Sequence, residues 1–423
     1  MRKSCLVLII AFIIAGIITS CTFNRNTDTS PTPSGTNEQA NNGNVAENKN
    51  SSPDPTDTAT PEPTPEPTPE PTPEAPKEPV KVKAVYVTGS SAGNSSKLDE
   101  LIELVNTTEL NSLVIDIKEG GYVHYRSEIP LIKELGLIDN KYNVEEVLKK
   151  CHDNNIHVIG RIVVFRDKGL AEAVKEYAIK KPDGKIWYEG DHGPWTNPYI
   201  EEVHDINIEI AKEAVRLGFD EIQFDYIRFP TAKANEVYYG ENMPPKTEAI
   251  NSFLKKAAEE IKKVKDVPVS ADVFGIISEG ERDGNAIGQR LEEIGMHIDY
   301  LSPMIYPSHY ANASNKTMGN GVGQRINGVL FTAPDLKPYE VVYNALLKTK
   351  SRIEAVPGYK AKIRPYLQDF TAKYLPEGYF QVYGPEQVRA QIQAVYDAGY
   401  EEWILWNSRN NYTMGALLPE GAE

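Results

Sequence analysis

Beyond residue 80 the chain alternates eight times between a short apolar strand pattern and a helical one, and few architectures accept that order. The strand patterns are KAVYVTG (83–89), NSLVIDIKEGG (111–121), IHVIGRIVVF (156–165), FDEIQFDYIRFP (219–230), VPVSADVFG (267–275), IDYLSPMIYP (298–307), KIRPYLQDF (362–370) and EEWILWNS (401–408). Helical periodicity fills the gaps at 97–108, 143–154, 171–179, 200–218, 247–264, 288–295, 338–356 and 385–399. Parallel strands joined by right-handed helical crossovers pack into α/β layers, and eight such units close into a (β/α)8 TIM barrel. A doubly wound open sheet is the alternative. It calls for a glycine-rich phosphate loop after an early strand and an acidic ribose reader further on. TGSSAGNSS is a weak version of that loop, and no acid follows at the expected spacing.

The fourth strand organises the rest. Ile222, Phe224 and Tyr226 fall on one side by period-two alternation, and Glu221, Gln223 and Asp225 on the other. In a barrel the second set points inward, and an acid at the C-terminal end of a strand lies where barrel enzymes place their chemistry. The same test turns Asp116 and Lys118 inward on the second strand, Arg161 on the third, Ser270 and Asp272 on the fifth, and Ser302, Met304 and Tyr306 on the sixth. Unpaired charges inside a barrel cost several kcal/mol each, so Asp116, Lys118, Arg161, Asp225 and Asp272 are expected to form one connected network.

Two carboxylates on neighbouring strands suit cleavage of a glycosidic bond. One must stay protonated to donate to the leaving oxygen, and the other must stay ionised as nucleophile or base. Asp225 and Asp272 are the candidate catalytic pair, with Asp369 and Glu119 as rivals for the second acid. The candidates for contact with a sugar are Asp116, Lys118, Arg161, Gln223, Tyr306, His309, Gln368, Asp369, Trp406 and Asn407. Sugar rings combine apolar faces with a polar rim, and Trp406 is the expected aromatic platform. Metal and cofactor chemistry has little support. The seven histidines are scattered without an H-x-x-x-H pair, and a G-x-S-x-G elbow is absent.

The N-terminus reads as a targeting segment. Arg2 and Lys3 precede an apolar run from Leu6 to Ile18, and ITSC ends on Cys21. This resembles a bacterial lipoprotein signal (1–20), with Cys21 as the lipidation site and a membrane-anchored protein on the extracellular face as the expectation. Residues 21–80 are rich in Asn, Thr, Ser, Pro and Glu, too polar to offset ordering entropy, and read as a disordered linker whose Pro-Glu repeat favours polyproline II. The barrel is expected over 81–412, with a tail at 413–423. After signal cleavage Cys151 is left without a disulfide partner, and its helical setting marks a packing residue. A net charge of −15 argues against nucleic acid as a partner; the acid pair and the aromatic residues make carbohydrate the expected ligand.

Six strings, DIKEGG, EIQFDYIRFP, ADVFG, LSPMIYPSHY, RPYLQDF and WILWNSRNNY, together resemble a bacterial family described as a putative glycoside hydrolase domain, from about Lys81 to Tyr412. The resemblance implies a TIM barrel distantly similar to α-amylase-like glycosidases. In those, the fourth-strand acid is the nucleophile and a fifth-strand acid the proton donor, roles that fall here to Asp225 and Asp272. Amylase-like barrels generally carry Glu on the fifth strand, one methylene longer than the Asp of this chain. The implied function is hydrolysis of an extracellular or cell-wall polysaccharide; a carbohydrate-binding barrel without turnover is the alternative.

Overall fold

In the computed structural model, which describes residues 79–280 and 282–422, eight parallel staves close into a barrel with helices between them. The staves are β1 (Lys83–Val87), β2 (Ser112–Glu119), β3 (His157–Val163), β4 (Glu221–Asp225), β5 (Val269–Phe274) and β6 (Tyr300–Ile305). The seventh, β7, is split into Lys362–Ile363 and Tyr366–Gln368, and β8 is Trp403–Trp406. The break falls at Arg364–Pro365, where proline has no N–H to give a ladder. β1 pairs in parallel with both β8 and β2, which shuts the cylinder. The targeting segment expected over 1–20 and all but the last two residues of the linker expected over 21–80 lie outside the described residues.

Six long helices jacket the staves: α1 (Ser95–Asn106), α2 (Val144–Asp153), α3 (Glu201–Leu217), α4 (Lys246–Lys262), α5 (Pro338–Ile353) and α6 (Pro385–Asp397). Asn94 and Asn143 cap α1 and α2 by accepting backbone N–H bonds, and Gly218 ends α3 in the left-handed region. The apolar residues separate into two sets. The larger fills the space between staves and helices; the smaller, Val82, Ala84, Tyr86, Val114, Ile159, Tyr306, Tyr366 and Ile404, lies inside the barrel. Cys151 is buried in the outer set, and burial pushes its thiol up to about 12.

The helix expected over 171–179 is displaced. A helix spans Lys168–Ala173 and stops at Val174, because the backbone of Ile179 bonds instead to Trp187 and Trp195 of the following loop. Those tertiary bonds outcompete local propensity. The tail is part of the fold. Thr413 binds Asp369 beyond the end of β7, and Leu418 bonds Glu109 just before β2, so the last residues run the height of the barrel.

Candidate active site

The polar interior of the barrel is stacked in levels. At the N-terminal end, Glu221 accepts from Arg364 Nη1 (2.8 Å) and Ser270 (2.6 Å), and Arg364 Nε reaches Glu402 at 3.0 Å. Above it, Gln223 accepts from Tyr366 (2.6 Å) and lies 3.3 Å from Ser302. The upper level is built on Arg161. Its Nη1 donates to Asp116 (2.5 Å) and Glu119 (3.1 Å), its Nε and Nη2 to Asp225 Oδ2 (3.1 and 2.5 Å), and Nε lies 3.9 Å from Asp272 Oδ2. Strand register sets this arrangement, since Arg161 stands beside Asp116 on one side and Gln223 on the other.

One guanidinium faces four carboxyl groups, so they do not all share the same charge state at neutral pH. Asp225 has both oxygens occupied by donors. Oδ2 takes two guanidinium bonds, and Oδ1 takes the N–H of Tyr226 at 2.5 Å. These surroundings offer only donors, and a carboxylate only accepts. Tyr226 reaches this position with φ of 51°, a left-handed conformation that a bulky aromatic residue seldom adopts. Asp272 differs. It is 1 % exposed, its Oδ1 has no hydrogen-bond partner, and burial together with the charge of Asp225 holds its carboxyl well above the usual range. Asp116 and Glu119 are also raised, chiefly by burial. Asp225 and Asp272 each approach Arg161 Nε, so their Oδ2 atoms lie no farther apart than those two distances together, about 7 Å.

Aromatic rings wall one side of this level. Trp406 stacks on Tyr86 (6.2 Å between centroids) and contacts Tyr306 (5.7 Å) and Phe370 (5.3 Å). Tyr86 in turn donates to Asp116 at 2.6 Å and lies under Arg161. His309 packs edge-on against Tyr306, and burial pushes its imidazole down to about 4, so it stands neutral at physiological pH.

Several expected contacts lie elsewhere. Lys118 does not join the interior network. A bulge between Asp116 and Lys118 turns its side chain toward the helices, where it pairs with Asp167 (2.5 Å) and donates to Asn207 of α3 (2.9 Å). Gly160 makes room for the turn, since a Cβ there would meet Ile117 Cδ1 at 2.2 Å. Glu119 takes the vacated role beside Arg161, a position that simple alternation assigns to a loop. Gln223 lies one level beneath the acids, fully buried. Gln368 is also buried: it receives Ser308 N and Oγ, donates to Asp335, and so holds the turn carrying His309. Asp369 is occupied by Thr413, and Asn407 donates to the carbonyls of Asp369 and Asn411. These last four act in support of the mouth through their protein partners.

Sequence reasoning overlooked Arg228. It is buried among Trp195, Tyr226 and Phe274 with its Cζ 4.8, 5.3 and 4.6 Å from the ring centroids. Alternation ends with β4, so periodicity offers no guide to a side chain three residues beyond it. Among the described residues no three or more His, Cys, Asp or Glu side chains are grouped so as to hold a metal ion.

Among solved structures, the chain is similar to a hypothetical protein from Ruminiclostridium thermocellum, at 46 % identity over 46 % of this chain and 99 % of that one, with a TM-score of 0.42. It is also similar to the glycoside hydrolase domain of PgaB (BpsB) from Bordetella bronchiseptica, at 12 % identity and a TM-score of 0.55 over 78 % of this chain and 95 % of that one. That likeness is one of fold. The spore cortex-lytic enzyme SleL of Bacillus megaterium matches at 13 % identity and a TM-score of 0.44, over 81 % of this chain and 74 % of that one. No curated protein matches. Residues 84–412 match the model of the family described as "Putative glycosyl hydrolase domain", and the chain belongs to that family.

Proposed function

We propose that this protein cleaves a glycosidic bond with Asp272 as proton donor and Asp225 as the opposing carboxylate, on an extracellular or cell-wall polysaccharide. The observation that carries the reading is the unequal treatment of two neighbouring acids by one arginine. Arg161 binds Asp225 directly, whereas Asp272 is left with an orphaned oxygen and a raised pKa. A desolvated acid beside one gripped by an arginine supplies the unequal pair that general-acid cleavage of a glycoside requires. The aromatic wall of Tyr86, Tyr306 and Trp406 offers apolar surface for sugar C–H faces. Family membership supports the reaction class.

The outward location is part of the proposal and rests on the sequence ITSC and the basic, apolar leader before it. Incorporation of labelled palmitate into the wild type, and its loss in Cys21→Ala, tests the lipid anchor.

The test of the reaction is a glycan library screened for release of reducing ends, followed by Asp225→Asn on the responding glycan. Turnover should fall by orders of magnitude; wild-type turnover in that variant would remove the assignment. A second reading, a carbohydrate-binding barrel without turnover, is favoured by the burial of Asp272 at 1 % exposure. It predicts binding with no released ends in the wild type as well. Proton NMR of the first-formed anomer then tells retention from inversion.

A further inference from the structure

Arg228 is a buried cation without a counter-charge. Its relative exposure is 7 %, and its one hydrogen bond runs from Nη1 to the carbonyl of Phe229 at 3.0 Å. Among the described residues no carboxylate comes within ion-pairing distance. The acids nearest in sequence or space are occupied. Asp225 is held by Arg161, and Glu189 lies 3.3 Å from Arg166 Nε and accepts from the Trp195 indole at 3.1 Å. The rings of Trp195, Tyr226 and Phe274 surround the guanidinium. Its Nε and Nη2 have no protein acceptor, yet neither belongs to the polar atoms sealed from solvent without a partner. Both nitrogens of the side-on edge therefore lack a protein acceptor without being wholly sealed from solvent.

The cage has a definite place. Tyr226 follows Asp225 by one residue, and Phe274 follows Asp272 by two. Arg228 thus packs against residues that closely follow the two candidate acids in the chain. A largely desolvated guanidinium without a counter-charge is unfavourable, and a planar anion at the Nε–Nη2 edge would offset that with two charge-assisted hydrogen bonds.

We propose that Arg228 is a specificity-determining residue that binds an acidic substituent of the glycan, making an acidic sugar the preferred occupant of the subsite beside Asp225 and Asp272. The proposal builds on the carbohydrate reading but does not need turnover. A carboxylate of a uronic acid and a sulfate ester share the required chemistry, and the side-on geometry fits the carboxylate better.

The experiment measures binding of the full-length protein to oligosaccharides of polygalacturonate, alginate and hyaluronan, each beside its carboxyl-reduced counterpart, with carrageenan, a sulfated galactan that lacks carboxylates, as the other source of charge. At least one acidic probe should bind tenfold or more tightly than its reduced form. That preference should vanish in Arg228→Met and weaken in Arg228→Lys, which keeps the charge and loses the fork. Should Arg228→Met fail to fold, Arg228→Lys and the steeper salt dependence of the acidic probe carry the decision. Equal binding of acidic and reduced probes, a preference that survives in both variants, or no binding of any acidic probe overturns the proposal. Asp272→Asn separates it from the hydrolase reading. An acidic preference kept there with no cleavage even in the wild type sinks the enzyme and spares Arg228, whereas cleavage of neutral glycans unaffected by Arg228→Met does the reverse.

Discussion

Arg161 grips a single oxygen of Asp225 from two nitrogens, Nε at 3.1 Å and Nη2 at 2.5 Å, and leaves Asp272 3.9 Å away. The side-on grip divides two otherwise equivalent aspartates into a charge-stabilised one and a desolvated one.

Removing Arg161 should therefore cost stability as well as activity. Arg161→Met strands Asp116 and Asp225 in the interior without their cation, at a cost of about 3–5 kcal/mol. Denaturant melts should show the loss, and it should shrink at acid pH as the acids take up protons.

Asp272 sets a pH dependence of definite sign. Its folded-state carboxyl is raised, so the native state binds more protons than the unfolded chain between the usual and the raised value, and stability falls as pH rises through that window. Asn cannot ionise, so Asp272→Asn should be more stable than wild type at neutral pH, with the gap closing near pH 4. Turnover in the same variant should drop by about 10²–10⁴-fold. Thermal melts at two pH values and a rate assay check both halves, and a destabilised Asp272→Asn at neutral pH would contradict the assignment.

Strain at Tyr226 is separable from its ring contacts. Both Tyr226→Ala and Tyr226→Gly lose the packing on Trp195 and Arg228, but only glycine adopts a φ of 51° without penalty. Tyr226→Gly should be the more stable of the two by roughly 1 kcal/mol. Equal stability in urea melts would mean that the turn relaxes.

Lys118 and Trp406 should behave oppositely. Lys118→Met leaves Asp167 as a buried unpaired charge and should cost about 3–5 kcal/mol while leaving KM unchanged. Trp406→Ala should raise KM roughly three- to tenfold by removing the platform proposed for a sugar ring, a contact worth ~0.5–1.5 kcal/mol. Melting curves and KM for each variant make the comparison.

Period-two alternation carried the reading as far as the ladder stays regular. It placed Asp116, Arg161, Asp225 and Asp272 on one interior because each lies within an unbroken run of paired residues. At Lys118 it failed by one residue, since a bulge reverses every facing beyond it and the sequence IDIKEGG does not announce one. The helix over 171–179 failed for a related reason, its propensity being overruled by bonds to the loop that follows it.

The order of apolar and polar residues thus determined a closed parallel barrel and the strand ends that carry its acids, because facing and crossover hand are local consequences of backbone geometry. Which acid is gripped by the arginine and which is left with an unpartnered oxygen was decided by tertiary structure alone. That choice depends on burial, on the distance to Arg161 and on a left-handed residue at 226, and all three arise only when staves from remote parts of the chain meet. The setting of Arg228 belongs with them, since the rings that cage it come from three separate stretches of the chain.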